Sequence, residues 1–145
     1  MLIVGIVLGF NFPNIVPQFN FQNHFIIFFC LGIALIWTGI FFRYWAIRTL
    51  GKFFRTRVII QEKHQLVTSG PYKYLRNPAY TGALITLVGF GFGAGNWISV
   101  IFLLIIGLAA YAWRIAVEDK ALRERFGEEY EDYKKRTWAL IPFIW

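Results

Sequence analysis

Charged side chains are confined to two blocks of this 145-residue chain. No Asp, Glu, Lys or Arg occurs from Met1 to Phe42 or from Asn77 to Trp113. A water-soluble domain distributes charge over its surface, whereas a lipid-facing segment excludes charge because it is poorly solvated in hydrocarbon. The pattern therefore predicts an all-α integral membrane protein, folded as a single domain over residues 1–145, whose polar mass gathers at one membrane face.

The lengths of the apolar runs predict the transmembrane helices. A helix needs about 20 residues to cross a bilayer, so the run Phe25–Phe42 with its flanks crosses once. The charge-free stretch Pro78–Trp113 has 36 residues, which is too many for one crossing. Clustered glycine favours a tight turn, and Gly89–Trp97 is the glycine-rich part of this stretch. We therefore predict two helices there, about Ala79–Phe90 and Ile98–Trp113.

The remaining segments predict a further span and two smaller elements. Met1–Val16 is apolar, and membrane helices tolerate proline such as Pro13, which brings the total to about four transmembrane helices. Val58–Ile60 and Leu66–Thr68 flank a polar turn and are predicted to form a small β-hairpin. An amphipathic C-terminal helix lying at the membrane interface is indicated by apolar side chains at helical spacing, namely Leu122, Phe126, Tyr130 and Tyr133.

The orientation follows from the basic residues. Loops rich in Lys and Arg stay on the cytoplasmic side, and Arg43–Arg76 holds eight basic residues and one acid. The second block, Arg114–Trp145, holds seven of each. With four spans, both blocks and both termini lie in the cytoplasm. The membrane that contains the protein is predicted to be the plasma membrane, the inner membrane or an endomembrane. The basic excess is thereby explained as a topology signal, and no nucleic-acid partner is predicted.

One pair of opposite charges lies where the last span leaves the hydrocarbon. Arg114 and Glu118 are four residues apart and therefore share a helical face. They can form an interfacial ion pair that only ends the span. They can also line a site, because a carboxylate holds cations and a guanidinium holds carboxylates in bidentate fashion. The spacing leaves both interpretations open.

The segment Gly70–Gly82, GPYKYLRNPAYTG, combines glycine, proline and three tyrosines at the start of a predicted helix. Backbone N–H groups at a helix N-terminus bind carboxylates or phosphates, and tyrosine rings accept cations or stack on purines. The alternative is a rigid interfacial turn with an aromatic belt. With one cysteine and two histidines in the chain, no metal site is predicted.

Two motifs follow each other in the charged part of the chain. The first is His64–Gly70, HQLVTSG, followed by Tyr72 and by Arg76–Gly82, RNPAYTG. The second comprises Arg114, Glu118-Asp119, Leu122, FGEEY, Tyr133, KKR and a terminal Pro-Phe-Ile. Residues 43–145 thereby resemble the isoprenylcysteine carboxyl methyltransferase family. The wider group includes phospholipid N-methyltransferases and, more distantly, NADPH-dependent membrane sterol reductases.

The resemblance implies S-adenosylmethionine as the cofactor. It implies cofactor contacts from His64, Gln65, Leu66, Val67, Tyr72, Asn77, Pro78, Ala79, Tyr80 and Glu118. It also implies that Arg114 contacts the substrate and forms the catalytic pair with Glu118. The chain departs from the family at Asn77, where the family has histidine, and an asparagine cannot take up a proton near neutral pH.

The sequence therefore predicts an integral membrane S-adenosylmethionine-dependent methyltransferase with its active site facing the cytoplasm. The acceptor is a lipophilic small molecule or lipid-modified group that enters from the membrane lipids. A carboxylate acceptor is favoured, because it is ionised at neutral pH and needs no base at position 77. Three alternatives remain open: a phospholipid N-methyltransferase, an NADPH-dependent reductase of the related group, and a non-catalytic membrane scaffold.

Overall fold

A computed structural model describes residues 2–51 and 66–145, and these residues form helices joined by short turns, without a β-strand. The helices are α1 (Leu2–Gly9), α2 (Phe12–Ile15), α3 (Phe25–Leu50), α4 (Pro78–Ala94), α5 (Trp97–Phe126) and α6 (Glu128–Lys135). The predicted all-α class is confirmed. Of the predicted β-hairpin, Val58–Ile60 lies outside the described residues, and Leu66–Thr68 is irregular.

Two segments are long and apolar enough to cross a membrane, Gln22–Leu50 and Trp97–Phe126, and two shorter apolar segments are Leu2–Ile15 and Pro78–Ala94. The outer face of α3 is apolar, with Ile26 75% and Phe41 63% exposed. A lipid environment accommodates such a face, because lipid tails are as apolar as these side chains. The chain is an integral membrane protein.

Helices α3 and α4 are held together by close backbone contact. A methyl group added at Gly39 would lie 2.5 Å from the Gly82 carbonyl oxygen, and one added at Gly82 would lie 2.7 Å from the Arg43 nitrogen. Gly32 and Gly89 face each other in the same way, each with an added methyl 2.8 Å from the other's carbonyl oxygen. Glycine at these positions lets two membrane helices approach closely and pack by van der Waals contact.

The predicted turn between the last two helices is present, but the predicted bounds of the helices are wrong. Helix α4 continues through the glycine-rich stretch to Ala94, and the turn is Gly95-Asn96. Gly95 ends α4 in the left-handed region with φ +79°, and the Asn96 side chain accepts from Ile98 N at 2.8 Å. Gly89 and Gly91 serve packing instead, since an added methyl group would lie 2.8 Å from the Gly32 carbonyl oxygen at Gly89 and 2.6 Å from Val100 Cα at Gly91.

The N-terminal segment is two short helices rather than the single predicted span Met1–Val16. Helix α1 has 8 residues, so at about 1.5 Å per residue it cannot cross a bilayer alone. It packs on α5, where Ser99 Oγ donates to the Gly9 carbonyl oxygen at 2.7 Å. Asn96 Nδ2 donates to the Val16 carbonyl oxygen at 3.1 Å, which ties the segment to the α4–α5 turn.

The predicted amphipathic C-terminal helix is divided at Gly127, whose φ is +52°. Its first part extends α5 out of the apolar stretch to Phe126, and its second part is α6. Tyr130 and Tyr133 are only 1% and 5% exposed. Their face packs on the protein itself, so the prediction of an interface-lying helix is wrong for α6.

We expect Gly39→Ala to destabilise the protein by about 1–3 kcal/mol, because the new methyl group overpacks the α3–α4 contact. Gly93→Ala is the matched control, since nothing lies within 4 Å of a methyl group added there. Thermal unfolding in detergent should show a lower midpoint for Gly39→Ala only. Equal midpoints for the two variants would contradict the close contact.

Candidate active site

The start of α4 is fixed by the C-terminal segment. Pro78 occupies the first turn of the helix, where its missing N–H is tolerated. Asn77 Nδ2 donates to the Ala139 carbonyl oxygen at 3.0 Å, and Thr81 Oγ1 donates to the Leu140 carbonyl oxygen at 2.7 Å. These bonds hold the first turn of α4, and with it the next functional side chain, in a defined position.

That side chain is Tyr80, which meets the predicted charge pair of α5. Its hydroxyl donates to Glu118 Oε1 at 2.6 Å, and Arg114 Nε donates to the same oxygen at 3.2 Å. The Arg114 guanidinium carbon lies 5.8 Å from the centre of the Tyr80 ring, and Tyr80 stacks on Tyr111 at 5.0 Å. Glu118 is therefore a positioned carboxylate with a side chain 18% exposed, whereas the Arg114 side chain is 62% exposed.

A second arginine reaches this cluster from α3. Arg43 Nη1 donates to the carbonyl oxygen of Ala79, the residue before Tyr80, at 2.9 Å. Arg43 and Arg114 are each the first charged residue after a charge-free stretch. The Arg114–Glu118 pair and a guanidinium held next to Tyr80 thus lie where the chain leaves the hydrocarbon, and the cluster can hold an anion beside a cation.

The two charged blocks meet on the polar side of the cluster. Tyr133 OH donates to the Tyr72 carbonyl oxygen at 2.7 Å, and Arg76 Nη1 donates to the Lys134 carbonyl oxygen at 3.1 Å. Burial raises the pKa of the Tyr133 hydroxyl above its ordinary value, which keeps the group a neutral donor. This contact joins the two sequence motifs.

The structure brings some predicted site residues together and separates others. Tyr80, Arg114 and Glu118 form the cluster, and Val67, Tyr72 and Ala79 pack around Ala46 of α3. Asn77 and Pro78 are buried at the start of α4, Leu66 is half-buried, and His64 and Gln65 lie outside the described residues.

Two residues of the cluster, Arg43 and Tyr111, were not predicted. Tyr111 had a signal, because it precedes Arg114 and Glu118 by three and seven residues and so shares their helical face. Arg43 had the same signal as Arg114, a basic residue directly after an apolar run. Its pairing with α4 depends on the glycine contact between the helices, which spacing within one helix does not reveal.

The chain is similar in sequence to known methyltransferases. The model of the phospholipid methyltransferase family matches residues 27–129. Protein-S-isoprenylcysteine O-methyltransferase B of Arabidopsis thaliana is 36% identical over 115 residues, which cover 78% of this chain and 58% of that protein. The protein-S-isoprenylcysteine O-methyltransferase of Schizosaccharomyces pombe is 32% identical over 139 residues, which cover 92% of this chain and 56% of the relative.

A solved structure shares the fold. The eukaryotic intramembrane Ras methyltransferase, an isoprenylcysteine carboxyl methyltransferase, superposes with a TM-score of 0.80 at 26% identity. The match covers 98% of this chain and 50% of that one. The chain thus spans between half and about three fifths of the length of these similar proteins. The match of the family model over most of the chain, together with the shared helical fold, shows that this chain belongs to the phospholipid methyltransferase family.

Proposed function

We propose that this protein is a membrane methyltransferase that uses S-adenosylmethionine and esterifies a carboxylate on a lipophilic or lipid-modified acceptor. The observation that carries the proposal is the Tyr80–Arg114–Glu118 cluster, with Arg43 beside it, at the end of the apolar part of α5. The similar proteins named as protein-S-isoprenylcysteine O-methyltransferases support the same reaction class and suggest an isoprenylated cysteine as the acceptor.

The described residues fit the proposed cofactor. S-adenosylmethionine is an amino acid with a cationic sulfonium, and when bound it supplies an electrophilic methyl group. The Glu118 carboxylate and the Tyr80 ring suit its positive groups. We assign cofactor binding to the residues that the family resemblance implies: His64, Gln65, Leu66, Val67, Tyr72, Asn77, Pro78, Ala79, Tyr80 and Glu118.

Arg114 is proposed to hold the acceptor. Its guanidinium can orient a carboxylate in two-point fashion and offset its charge at the membrane surface. A carboxylate acceptor is already ionised, so no protein group must remove a proton. Asn77 cannot act as such a base, and its amide nitrogen is bonded to the Ala139 carbonyl oxygen. Positioning of the two reactants then supplies most of the rate.

The same cluster argues against the two enzymatic alternatives. An amine acceptor such as the phosphatidylethanolamine headgroup is cationic before reaction, and Arg114, which is proposed to hold the acceptor, repels a cation. The amine must also lose a proton, and Asn77 stands where the family has an ionisable histidine. An NADPH-dependent reductase needs cations around the cofactor phosphates, whereas the cofactor position proposed here lies beside the Glu118 carboxylate, which repels phosphate.

Cofactor binding tests the proposal. We expect calorimetry to show binding of S-adenosylhomocysteine and none of NADPH. Glu118→Gln should weaken S-adenosylhomocysteine binding by about 1.5–3 kcal/mol, the size of a charge-assisted hydrogen bond. Glu124→Gln is the control, because Glu124 is an acid of the same helix with a side chain 68% exposed. Binding of NADPH alone would indicate a reductase, and binding of neither compound would indicate a scaffold.

Turnover tests the role of Arg114. Arg114→Lys keeps the charge but removes the planar fork. We expect methylation of an isoprenylated cysteine to fall at least tenfold, about 1.4 kcal/mol of transition-state stabilisation, with S-adenosylhomocysteine affinity nearly unchanged. Arg125→Lys, an exchange at the end of α5, should leave both quantities unchanged. A parallel loss of turnover and cofactor affinity in Arg114→Lys would place Arg114 in the cofactor site instead.

We further propose four membrane crossings, the first made by α1 and α2 together, with both termini and the active site in the cytoplasm. Contacts between the two charged blocks, such as Tyr133 with Tyr72, support a shared side. In a Cys30→Ser background, an impermeant maleimide should label Asn23→Cys, which precedes α3, in intact cells. It should label Lys135→Cys only after permeabilisation. The reverse result would contradict the orientation, and labelling of both in intact cells would contradict the separation of the two positions by the membrane.

A further inference from the structure

Helix α5 also borders a pocket away from the proposed active site. The pocket has a volume of about 360 Å³ and lies between α5, α6 and the C-terminal segment. On an α-helix with about 100° per residue, Ala112, Ala116 and Asp119 point about 100–160° away from Arg114 and Glu118. The pocket therefore uses a face of α5 that the proposed methyl transfer leaves unassigned.

The polar wall of this pocket is strongly basic. It contains Arg76, Lys120, Arg123 and Lys134 and one acid, Asp119. The acid is already engaged, because Tyr130 OH donates to Asp119 Oδ1 at 2.5 Å and Lys134 Nζ lies 3.5 Å from Oδ2. Four cations against one anion leave a formal charge of +3 on the lining. The wall therefore favours an anion.

Arg76 adds a donor that the described residues do not use. Its Nη1 is held by the carbonyl oxygens of Lys134 and Thr137, whereas its buried Nε has no hydrogen-bond partner among the described residues. Lys120 pairs with Glu124, and both side chains are largely exposed. An exposed pair contributes little, so an incoming anion can replace Glu124 beside Lys120. Arg123 pairs with the less exposed Glu131 and adds its charge to the same wall.

The remaining wall of the pocket is apolar. Ala112, Ala116 and Trp145 line it, and Trp113, the neighbour of Ala112, is 75% exposed. Ile144 beside Trp145 is 79% exposed. Ala112 lies in the charge-free part of α5 and Lys120 in its charged part, so the pocket straddles the boundary of the hydrocarbon. A ligand that fits both walls has an anionic head and an apolar body.

We propose that this pocket binds the headgroup of an anionic phospholipid. Arg76, Lys120, Arg123 and Lys134 surround the phosphate, and the alanine and tryptophan wall accommodates the first carbons of the acyl chains. Basic pockets beside transmembrane helices bind lipid headgroups in this manner. A soluble phosphate would meet the same cations but leave the apolar wall unused, and a zwitterionic headgroup would bring an ammonium group against the basic wall.

Lipid titration of the purified intact protein tests this proposal. Native mass spectrometry should show dioleoylphosphatidylglycerol retained at least tenfold more tightly than dioleoylphosphatidylcholine, with no competition from inorganic phosphate. The double variant Lys120→Gln with Arg123→Gln should lose at least tenfold of the phosphatidylglycerol affinity. Neither residue belongs to the proposed active site.

The charge-matched control is Arg125→Gln with Lys135→Gln, which removes two cations from outside the pocket. It should retain the wild-type phosphatidylglycerol affinity, and the elution volume in detergent should show that both double variants remain folded. Equal loss in the two double variants would overturn the proposal, since the effect would then be one of overall charge. Equal binding of the two lipids, or competition by inorganic phosphate at the same affinity as the lipid, would also overturn it.

Discussion

The contact on which the rest of the structure depends is the close approach of α3 and α4 through glycine. Apolar side chains gain little by leaving lipid for one another, so membrane helices associate by van der Waals packing. Gly39 meets the backbone of Gly82, and Gly82 lies against the backbone of Arg43. One turn from this point, Arg43 reaches the Ala79 carbonyl oxygen and α4 presents Tyr80 to Glu118. The proposed active site is thus built beside a close contact of the two backbones.

Outside the hydrocarbon, polar bonding takes over from backbone contact. The C-terminal segment holds the start of α4 through Asn77 and Thr81, and α6 holds the preceding turn through Tyr133. Burial and the bond to Asp119 raise the pKa of Tyr130, so that this phenol stays a neutral donor. The position of the Tyr80–Arg114–Glu118 cluster therefore depends on two kinds of interaction. Backbone packing acts in the hydrocarbon, and hydrogen bonds act in the polar region outside it.

The sequence predicted the features that depend on the solvent or on one helix alone. Charge-free runs predicted the apolar helices, and spacing of four residues predicted that Arg114 and Glu118 meet. Features that depend on a partner could not be predicted in this way. Because glycine weakens isolated helices, the sequence predicts that the helix ends near Gly89. In the structure the helix continues, and α3 packs against Gly89. The spacing of apolar residues in the C-terminal helix predicted an apolar face but not what that face contacts. Tyr130 packs against the protein itself. The predictions for His64 and Gln65 stay predictions.

Glu118 Oε1 accepts from Tyr80 and from Arg114 at once. Groups that share one acceptor do not contribute independently, so the effects of changing them do not add. If Tyr80 borders the cofactor and Arg114 borders the acceptor, the effect of a substitution at one position depends on the residue at the other. This dependence limits how the acceptor preference can change during evolution. A replacement at position 114 that suits a new acceptor also alters the hydrogen bonding of Tyr80, and so requires a compensating change at position 80 or 118. New specificities would then arise through correlated substitutions on α4 and α5.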